Sequence, residues 1–151
     1  PSSTRRRRGR RRGTIKKLMK KGDEYKMFIH ENMNPRGRKT GDCVIRAIAK
    51  AENKEWLEIF DALVAIARKI YSVPNDPATY TKYLKGYETV PVMFYDEGVG
   101  RTRRYTVRDL ATWAGTYIVK IAGHLTVVQD GKLYDTWDCS SKSAYKIWKV
   151  K

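Results

Sequence analysis

The chain has 151 residues, of which 41% are hydrophobic, and its ten tyrosines and four tryptophans suit the core of one globular domain. No apolar run is long enough to cross a membrane and none follows the basic start, so we expect neither a transmembrane helix nor a signal peptide. Two cysteines without a secretion signal predict free thiols in a reducing compartment, which points to the cytoplasm.

The net charge of +16 is concentrated in residues 1–22, which we call the basic arm. The arm has no acidic residue and carries eleven of the 32 basic residues: Arg5, Arg6, Arg7, Arg8, Arg10, Arg11, Arg12, Lys16, Lys17, Lys20 and Lys21. Residues 23–151, the predicted folded domain, keep a net charge of only +5. Because like charges repel and little apolar surface can be buried, the arm is expected to be disordered or bound to a partner.

The composition of the basic arm predicts a nucleic-acid partner, RNA or DNA. Lysines and arginines neutralise phosphates and release counterions largely independently of base sequence, and the arginine fork matches phosphate geometry. A solubilising tail is the alternative, and a membrane surface is a weaker one, since only Ile15, Leu18 and Met19 form an apolar helical stripe. We therefore expect the arm to hold the protein on nucleic acid or on a large assembly such as a ribosome or phage particle.

A candidate nucleophile, Cys43, lies where a polar loop turns into an apolar helix, with Asp42 as a candidate cap. In the first helical turn, unpaired backbone N–H groups and the positive end of the helix dipole favour the thiolate over the thiol. In the preceding loop, Asn32 and Asn34 are candidate oxyanion donors beside the backbone N–H of Cys43, with ordinary turn residues as the alternative.

Further helices and strands follow from periodicity and turn residues. Apolar residues at helical spacing predict a helix from Trp56 to Ile70 that Asn53 caps, and a shorter helix around Tyr80 that ends near Gly86. A capping-box-like start at residues 106–109 predicts another helix through residue 113. Residues 98–104 are predicted as a mobile basic loop. The predicted strands outside the hairpin described next are residues 25–29, 90–95, 117–121 and 145–150.

A β-hairpin is predicted around Asp130 and Gly131, since Asp-Gly between two β-type runs is the strongest short-range signal for a two-residue turn. Because side chains alternate faces, His124 and Asp135 then share a face and lie within hydrogen-bonding reach on a diagonal. Counting outward gives four cross-strand pairs: Gln129–Lys132, Val128–Leu133, Thr126–Asp135 and His124–Trp137. Helices first and an antiparallel sheet last predict an α+β fold.

The three candidate catalytic residues are Cys43, His124 and Asp135. A cysteine at a helix N-terminus, followed far downstream by a strand-borne histidine and an aspartate, has the order and the secondary-structure context of papain-like enzymes. The structural alternative is a buried helix cysteine and a satisfied core histidine. Two further alternatives involve Cys139: a zinc site formed with Cys43, His124 and His30, or a Cys43–Cys139 disulfide. No Cys-x-x-Cys or close histidine pair supports zinc, so we expect neither metal nor cofactor.

Three stretches carry a resemblance to known proteins, which extends over residues 27–151. They are Gly41-Asp42-Cys43-Val44-Ile45-Arg46-Ala47; Pro74-Asn75-Asp76 with Tyr80 and Tyr83-Leu84; and Gly123-His124-Leu125-Thr126 with Asp130-Gly131 and residues 134–140. Together they resemble small, mostly uncharacterised papain-like proteins of bacteriophages and Gram-positive bacteria. More distantly, residues 41–47 are similar to the nucleophile segment of ovarian-tumour-domain deubiquitinases, and the hairpin is similar to that of bacteriocin-processing peptidases.

The resemblance implies a papain-like cysteine peptidase fold, with N-terminal helices packed on a C-terminal antiparallel sheet. It also implies a triad in which Cys43 attacks an amide carbonyl as thiolate, His124 passes the proton to the leaving amine, and Asp135 fixes the imidazole tautomer. We therefore expect a cysteine hydrolase with a polypeptide substrate, held on nucleic acid or in a virion by its arm. The alternative is a catalytically inactive papain-like structural protein of a phage particle or ribosome-associated assembly.

Overall fold

The computed structural model describes residues 26–151, so the basic arm and its predicted nucleic-acid contacts lie outside the described residues. Within residues 26–151 the strands, in chain order, are β1 (Phe28–His30), β2 (Glu88–Val90), β3 (Met93–Asp96), β4 (Arg101–Arg104), β5 (Thr116–Ile121), β6 (His124–Gln129), β7 (Lys132–Asp135) and β8 (Lys146–Lys149). The helices are α1 (Cys43–Glu52), α2 (Trp56–Ile70) and α3 (Pro77–Tyr83), with 3-10 helices at Leu84–Gly86 and Val107–Thr112.

The architecture is α+β, with the helices mostly preceding a six-stranded sheet among the described residues. The strand order is β1-β7-β6-β5-β8-β2, and every neighbouring pair is antiparallel except β1 and β7. In that parallel pair, His30 lies opposite Asp135. The expectation of a purely antiparallel sheet was therefore wrong. All the helices lie in the connection from β1 to β7, which is long enough for the crossover that a parallel pair requires.

A second, two-stranded sheet corrects the prediction of a mobile loop at residues 98–104. Arg101–Arg104 form β4 and pair with β3. The turn between them is closed by the Asp96 side chain, which accepts a hydrogen bond from the backbone N–H of Gly98 at 3.0 Å. The Arg103 guanidinium donates to Asp96 and to Asp109, so a charge that looked solvated in the sequence is paired.

The helix ends explain two further differences from the prediction. Asn53 does not cap α2. It ends α1 in the left-handed conformation with φ of 53°, and its backbone N–H bonds to the last carbonyls of that helix. Asparagine tolerates this conformation because its short side chain satisfies the local backbone. The predicted capping box between Thr106 and Asp109 is confirmed, although the helix it starts is a 3-10 helix that ends at Thr112.

Each face of the large sheet carries an apolar cluster. On one face the helices pack on alternate residues of β5 and β6, including Ile118 and Val127. On the other face Val119 and Val128 pack with the 3-10 helix Val107–Thr112. Because both faces are covered, the two strands are buried along nearly their whole length and read in the sequence as apolar runs. This packing holds α1 against β6.

None of the helices within residues 26–151 combines the length and the apolar character needed to cross a membrane.

Candidate active site

His124 is placed by a tight turn at one end of the sheet. Strands β5 and β6 are joined through Ala122 and Gly123, and the closing pair of the ladder is Ile121 with His124. Gly123 has φ of 64°, a conformation in which a side chain is strained and glycine is not. His124 therefore begins β6, next to the N-terminal end of the helix that packs on this strand.

The β6–β7 hairpin has the predicted turn. Asp130 and Gly131 both have positive φ, 49° and 78°, as a type I′ turn requires, and the pairing of Gln129 with Lys132 and Val128 with Leu133 is confirmed. The ladder ends at Val127–Tyr134, so two predicted pairs, Thr126–Asp135 and His124–Trp137, are not part of it.

Beyond the end of the ladder, side chains of the two strands still meet. Thr126 Oγ1 donates to Asp135 Oδ2 at 2.6 Å. His124 Nε2 donates to the same carboxylate oxygen at 2.7 Å. The His124 and Asp135 side chains are 11% and 3% exposed, so this pair is shielded from water. The diagonal contact expected from strand parity is therefore present in the structure.

Cys43 is the first residue of α1 and lies on the other side of the imidazole. Its sulfur lies close enough to His124 and to the backbone N–H of Leu125 for both groups to lower the pKa of the thiol. Because Nε2 of His124 is bound to Asp135, the nitrogen that faces the thiol is Nδ1. The structure thus brings together a thiol, an imidazole and a carboxylate, in that order.

The electrostatics of the three groups favour the ionised pair. Burial alone would raise the pKa of Cys43, but the hydrogen bond and positive charge of His124, with smaller contributions from Leu125 N–H and Arg46, lower this pKa below that of an ordinary thiol. Burial alone would lower the pKa of His124, whereas its bonds to Asp135 and Cys43 raise it to about 9. The two shifts run in opposite directions, and both favour the charged forms, thiolate and imidazolium.

Asp135 remains a carboxylate despite its burial. Burial would raise its pKa, but the bonds from His124 and Thr126 to Oδ2 and from the backbone N–H of Thr136 to Oδ1 lower it. Oδ1 also accepts from Nη1 of Arg46 at 3.1 Å. Both oxygens are therefore saturated by donors, which fixes the plane of the carboxylate.

Arg46 is a residue of this site that the sequence analysis missed. It lies one turn after Asp42, and its Nε donates to Asp42 Oδ1 at 2.7 Å. Asp42 in turn makes no capping bond to α1 and accepts instead from Trp56 Nε1 and Asn34 Nδ2. The available signal was the Asp-x-x-x-Arg spacing, which places two opposite charges on one helix face.

The asparagines proposed as oxyanion donors hold the loop before the nucleophile. Asn32 Oδ1 accepts from the backbone N–H of Asn34 at 3.0 Å, and Asn34 Oδ1 accepts from that of Arg36 at 3.0 Å. Asn34 Nδ2 donates to Asp42, as noted above. These contacts favour the alternative of turn residues for both. The backbone N–H of Cys43 has no acceptor within the helix, since it is in the first turn.

The second thiol, Cys139, lies in an environment that favours the protonated form. Cys139 is buried with its Sγ 3.9 Å from Asp135 Oδ2, and burial together with that negative charge raises its pKa to about 12. Both cysteines are free, so the alternative of a Cys43–Cys139 disulfide is not what the structure contains. His30, on β1, is exposed.

The zinc alternative has a poor donor set. Ligand atoms of His124, Asp135 and Cys139 lie within 4.8 Å of one another, whereas Cys43 and His30 are not in this group of the described residues. Zinc takes thiolates and carboxylate lone pairs. Here the thiol of Cys139 is held neutral and both Asp135 oxygens already accept hydrogen bonds.

Trp137 flanks the imidazole on the solvent side. Its ring centroid lies 5.1 Å from that of His124 with the planes at 58°, and the residue is 41% exposed. An apolar ring here limits water at the His124–Asp135 hydrogen bond, which strengthens that bond.

Comparison with known proteins gives no relative. No protein-family model, no curated protein and no solved structure matches the chain. Functional inference therefore depends on the arrangement of the residues themselves.

Proposed function

We propose that the folded domain is a papain-like cysteine hydrolase that cleaves amide bonds in a polypeptide. The observation that carries this proposal is the sequence of contacts from Cys43 through His124 to Asp135, with a 2.7 Å bond between the last two. The α+β order, with the nucleophile at the start of a helix and the other two residues on later strands, supports the papain-like assignment.

The acylation half of the reaction uses all three side chains. The Cys43 thiolate attacks the carbonyl carbon, and the oxygen takes the negative charge while the backbone N–H of Cys43 donates to it. The imidazolium of His124 transfers its Nδ1 proton to the amine as the C–N bond breaks. Asp135 holds Nε2–H throughout and so keeps Nδ1 aimed at the sulfur. The products are a free amine and a thioester on Cys43.

The deacylation half returns the protein to its starting state. Neutral His124 accepts a proton at Nδ1 from water, and the hydroxide formed attacks the thioester carbonyl. The C–S bond then breaks, which releases a carboxylic acid and the Cys43 thiolate. The imidazolium, formed when water gave up its proton, restores the ion pair with this thiolate, so each turnover consumes one water.

The test is the rate of Cys43 alkylation by iodoacetamide as a function of pH. The wild type is expected to react well below the ordinary thiol pKa of about 8.5, and His124→Ala is expected to lose this low-pH reactivity. His30→Ala is the matched control, because the only other histidine of the chain is exposed on β1. An ordinary thiol profile in the wild type would favour the inactive structural protein instead.

We also propose that the basic arm binds nucleic acid. Its eleven cations among 22 residues, with no acid, supply the phosphate contacts that the nearly balanced folded domain lacks. Replacing the seven arginines with glutamine is expected to weaken binding and to flatten its dependence on salt concentration, whereas replacing them with lysine keeps most of the salt dependence. Equal affinity of the glutamine variant would exclude the arm as the binding element.

A further inference from the structure

Arg46 joins two buried carboxylates that belong to different parts of the fold. Its side chain is 12% exposed, and the side chains of Asp42 and Asp135 are 4% and 3% exposed. Nε lies 2.7 Å from Asp42 Oδ1 and Nη1 lies 3.1 Å from Asp135 Oδ1. The arginine thus connects the residue before α1 with the last residue of β7.

The bond from Arg46 reaches the oxygen of Asp135 that His124 does not use. His124 and Thr126 bind Oδ2, whereas Arg46 and the backbone N–H of Thr136 bind Oδ1. A rotation of the carboxylate would therefore break the arginine bond together with the histidine bond. Arg46 also donates from Nη1 to Thr136 Oγ1 at 3.3 Å, so it holds the chain on both sides of the peptide between residues 135 and 136.

The other end of Arg46 is fixed as firmly. Asp42 accepts on Oδ2 from Trp56 Nε1 at 2.9 Å and from Asn34 Nδ2 at 3.1 Å, while Oδ1 is left for Arg46. This explains why Asp42 makes no capping bond to the helix it precedes. A guanidinium is suited to this position because its rigid fork addresses two acceptors in one plane, which a lysine ammonium cannot do.

We propose that Arg46 is a positioning residue for the triad: by binding Oδ1 it sets the orientation of Asp135, and through it that of His124 against Cys43. The inference rests on the proposed function, because positioning matters only if the thiolate–imidazolium pair is formed. Arg46 touches neither Cys43 nor the substrate carbonyl in the mechanism derived above. Its effect on Cys43 therefore passes through Asp135, apart from the field of its own charge.

The experiment compares the pH dependence of iodoacetamide alkylation of Cys43 in Arg46→Met, Arg46→Lys, Asp135→Asn and the double variant Arg46→Met/Asp135→Asn. Loss of positioning raises the thiol pKa. For a one-unit rise the thiolate fraction at low pH falls about tenfold, and the higher nucleophilicity of the more basic thiolate restores about threefold of that. We expect both Arg46 variants to react about threefold more slowly than the wild type at pH 6, and the double variant to react at the rate of Asp135→Asn.

The lysine variant separates positioning from charge. If Arg46 acted only as a positive charge near the thiolate, Arg46→Lys would keep the wild-type profile, and the effects of Arg46→Met and Asp135→Asn would multiply in the double variant. Either result would overturn the proposal. Should Arg46→Met fail to fold, Arg46→Lys decides the question by itself, with its fold checked by circular dichroism.

Lys50→Met is the matched control. It tests whether the loss of another side-chain link from α1 to the rest of the fold changes the alkylation of Cys43. Lys50 lies on the same helix and forms a 2.9 Å ion pair with Glu31, whose backbone N–H bonds to the Asp135 carbonyl. It therefore also links α1 to this part of the sheet, but it makes no bond to the Asp135 carboxylate. We expect its alkylation profile to equal that of the wild type. Arg46 variants that likewise equal the wild type, while His124→Ala does not, would overturn the positioning role alone. If His124→Ala also leaves the profile unchanged, the proposed hydrolase fails and the present inference fails with it.

Discussion

The sulfur of Cys139 lies 3.9 Å from the Asp135 oxygen that accepts the His124 hydrogen bond. The two thiols of the chain are thus found on opposite ends of one polar network: Cys43 beside the imidazolium and Cys139 beside the carboxylate. The first environment lowers the pKa of the thiol, and the second, after burial, raises it to about 12. One network therefore shifts the pKa values of the two thiols in opposite directions, and this predicts that Cys43 reacts far faster than Cys139.

Alkylation of the native protein at pH 7 is expected to modify Cys43 alone. Cys139 is fully buried and neutral at this pH, so it has neither the exposure nor the thiolate fraction that the reaction requires. Mass spectrometry of the digested protein measures the modification of each cysteine. Modification of both at similar rates before unfolding would contradict the assignment, whereas Cys139 is expected to react once urea is added.

Asp135→Asn is expected to destabilise the fold at neutral pH by about 3–5 kcal/mol, because the substitution removes the partner of two buried cations. The pKa of Asp135 is lowered in the folded state, so the stabilisation by its carboxylate is fully present above the unfolded value of about 3.9 and is lost as the pH falls through the folded value. Urea unfolding at several pH values measures this. The difference in free energy of unfolding between wild type and variant should shrink on acidification; a constant difference would contradict the proposed linkage.

Gly115→Ala is expected to destabilise the protein by at least about 1–3 kcal/mol. Gly115 has φ of 99°, and a Cβ built on it would lie 2.2 Å from the carbonyl oxygen of Lys151, which accepts the hydrogen bond of Thr116 N–H. Gly86→Ala is the control, since Gly86 has no neighbour within 4 Å of the added carbon and no positive φ. The free energy of urea unfolding should fall for the first variant and stay near the wild-type value for the second.

Glu52→Gln is expected to lower the pKa of Tyr87 from about 12 towards the ordinary value of about 10. Burial raises this pKa, and so does the hydrogen bond that the tyrosine donates to the Glu52 carboxylate. Tyr83 donates to the other oxygen of Glu52, so the substitution also loosens the contact of α1 with α3. Ultraviolet titration of the tyrosines measures the change. Glu55→Gln, at an exposed glutamate, is the control and should leave the titration unaltered.

The local parts of the site could be predicted from the sequence because each depends on a short pattern. Asp130-Gly131 determines the hairpin turn, strand alternation then puts His124 and Asp135 on one face, and the loop-to-helix transition places Cys43 at a helix start. These three inferences need no information about how distant segments pack.

The parts that the sequence did not reveal depend on contacts between distant segments. Arg46 bonds to Asp135, which is 89 residues later in the chain, and no periodic pattern in the sequence predicts such a contact. Strand β4 was read as a loop because its three arginines suggest solvation, whereas one of them is paired with Asp96 across the hairpin and with Asp109 beyond it. Asn53 was assigned to the wrong helix because asparagine favours both a helix start and the left-handed conformation after a helix end.

The parallel pairing of β1 with β7 limits how far the candidate site can lie from residue 22, where the basic arm ends. The arm ends at residue 22 and β1 begins at Phe28, with His30 opposite Asp135. The five intervening residues span at most about 18 Å when fully extended. A polymer held by the arm, as we propose, would thus be tethered beside the edge strand β1, next to β7 and Asp135. A target on the same polymer would then meet Cys43 at an effective concentration on the order of millimolar. In such an arrangement the substrate would be selected by its attachment to the polymer, and the domain would need no pocket that recognises particular side chains.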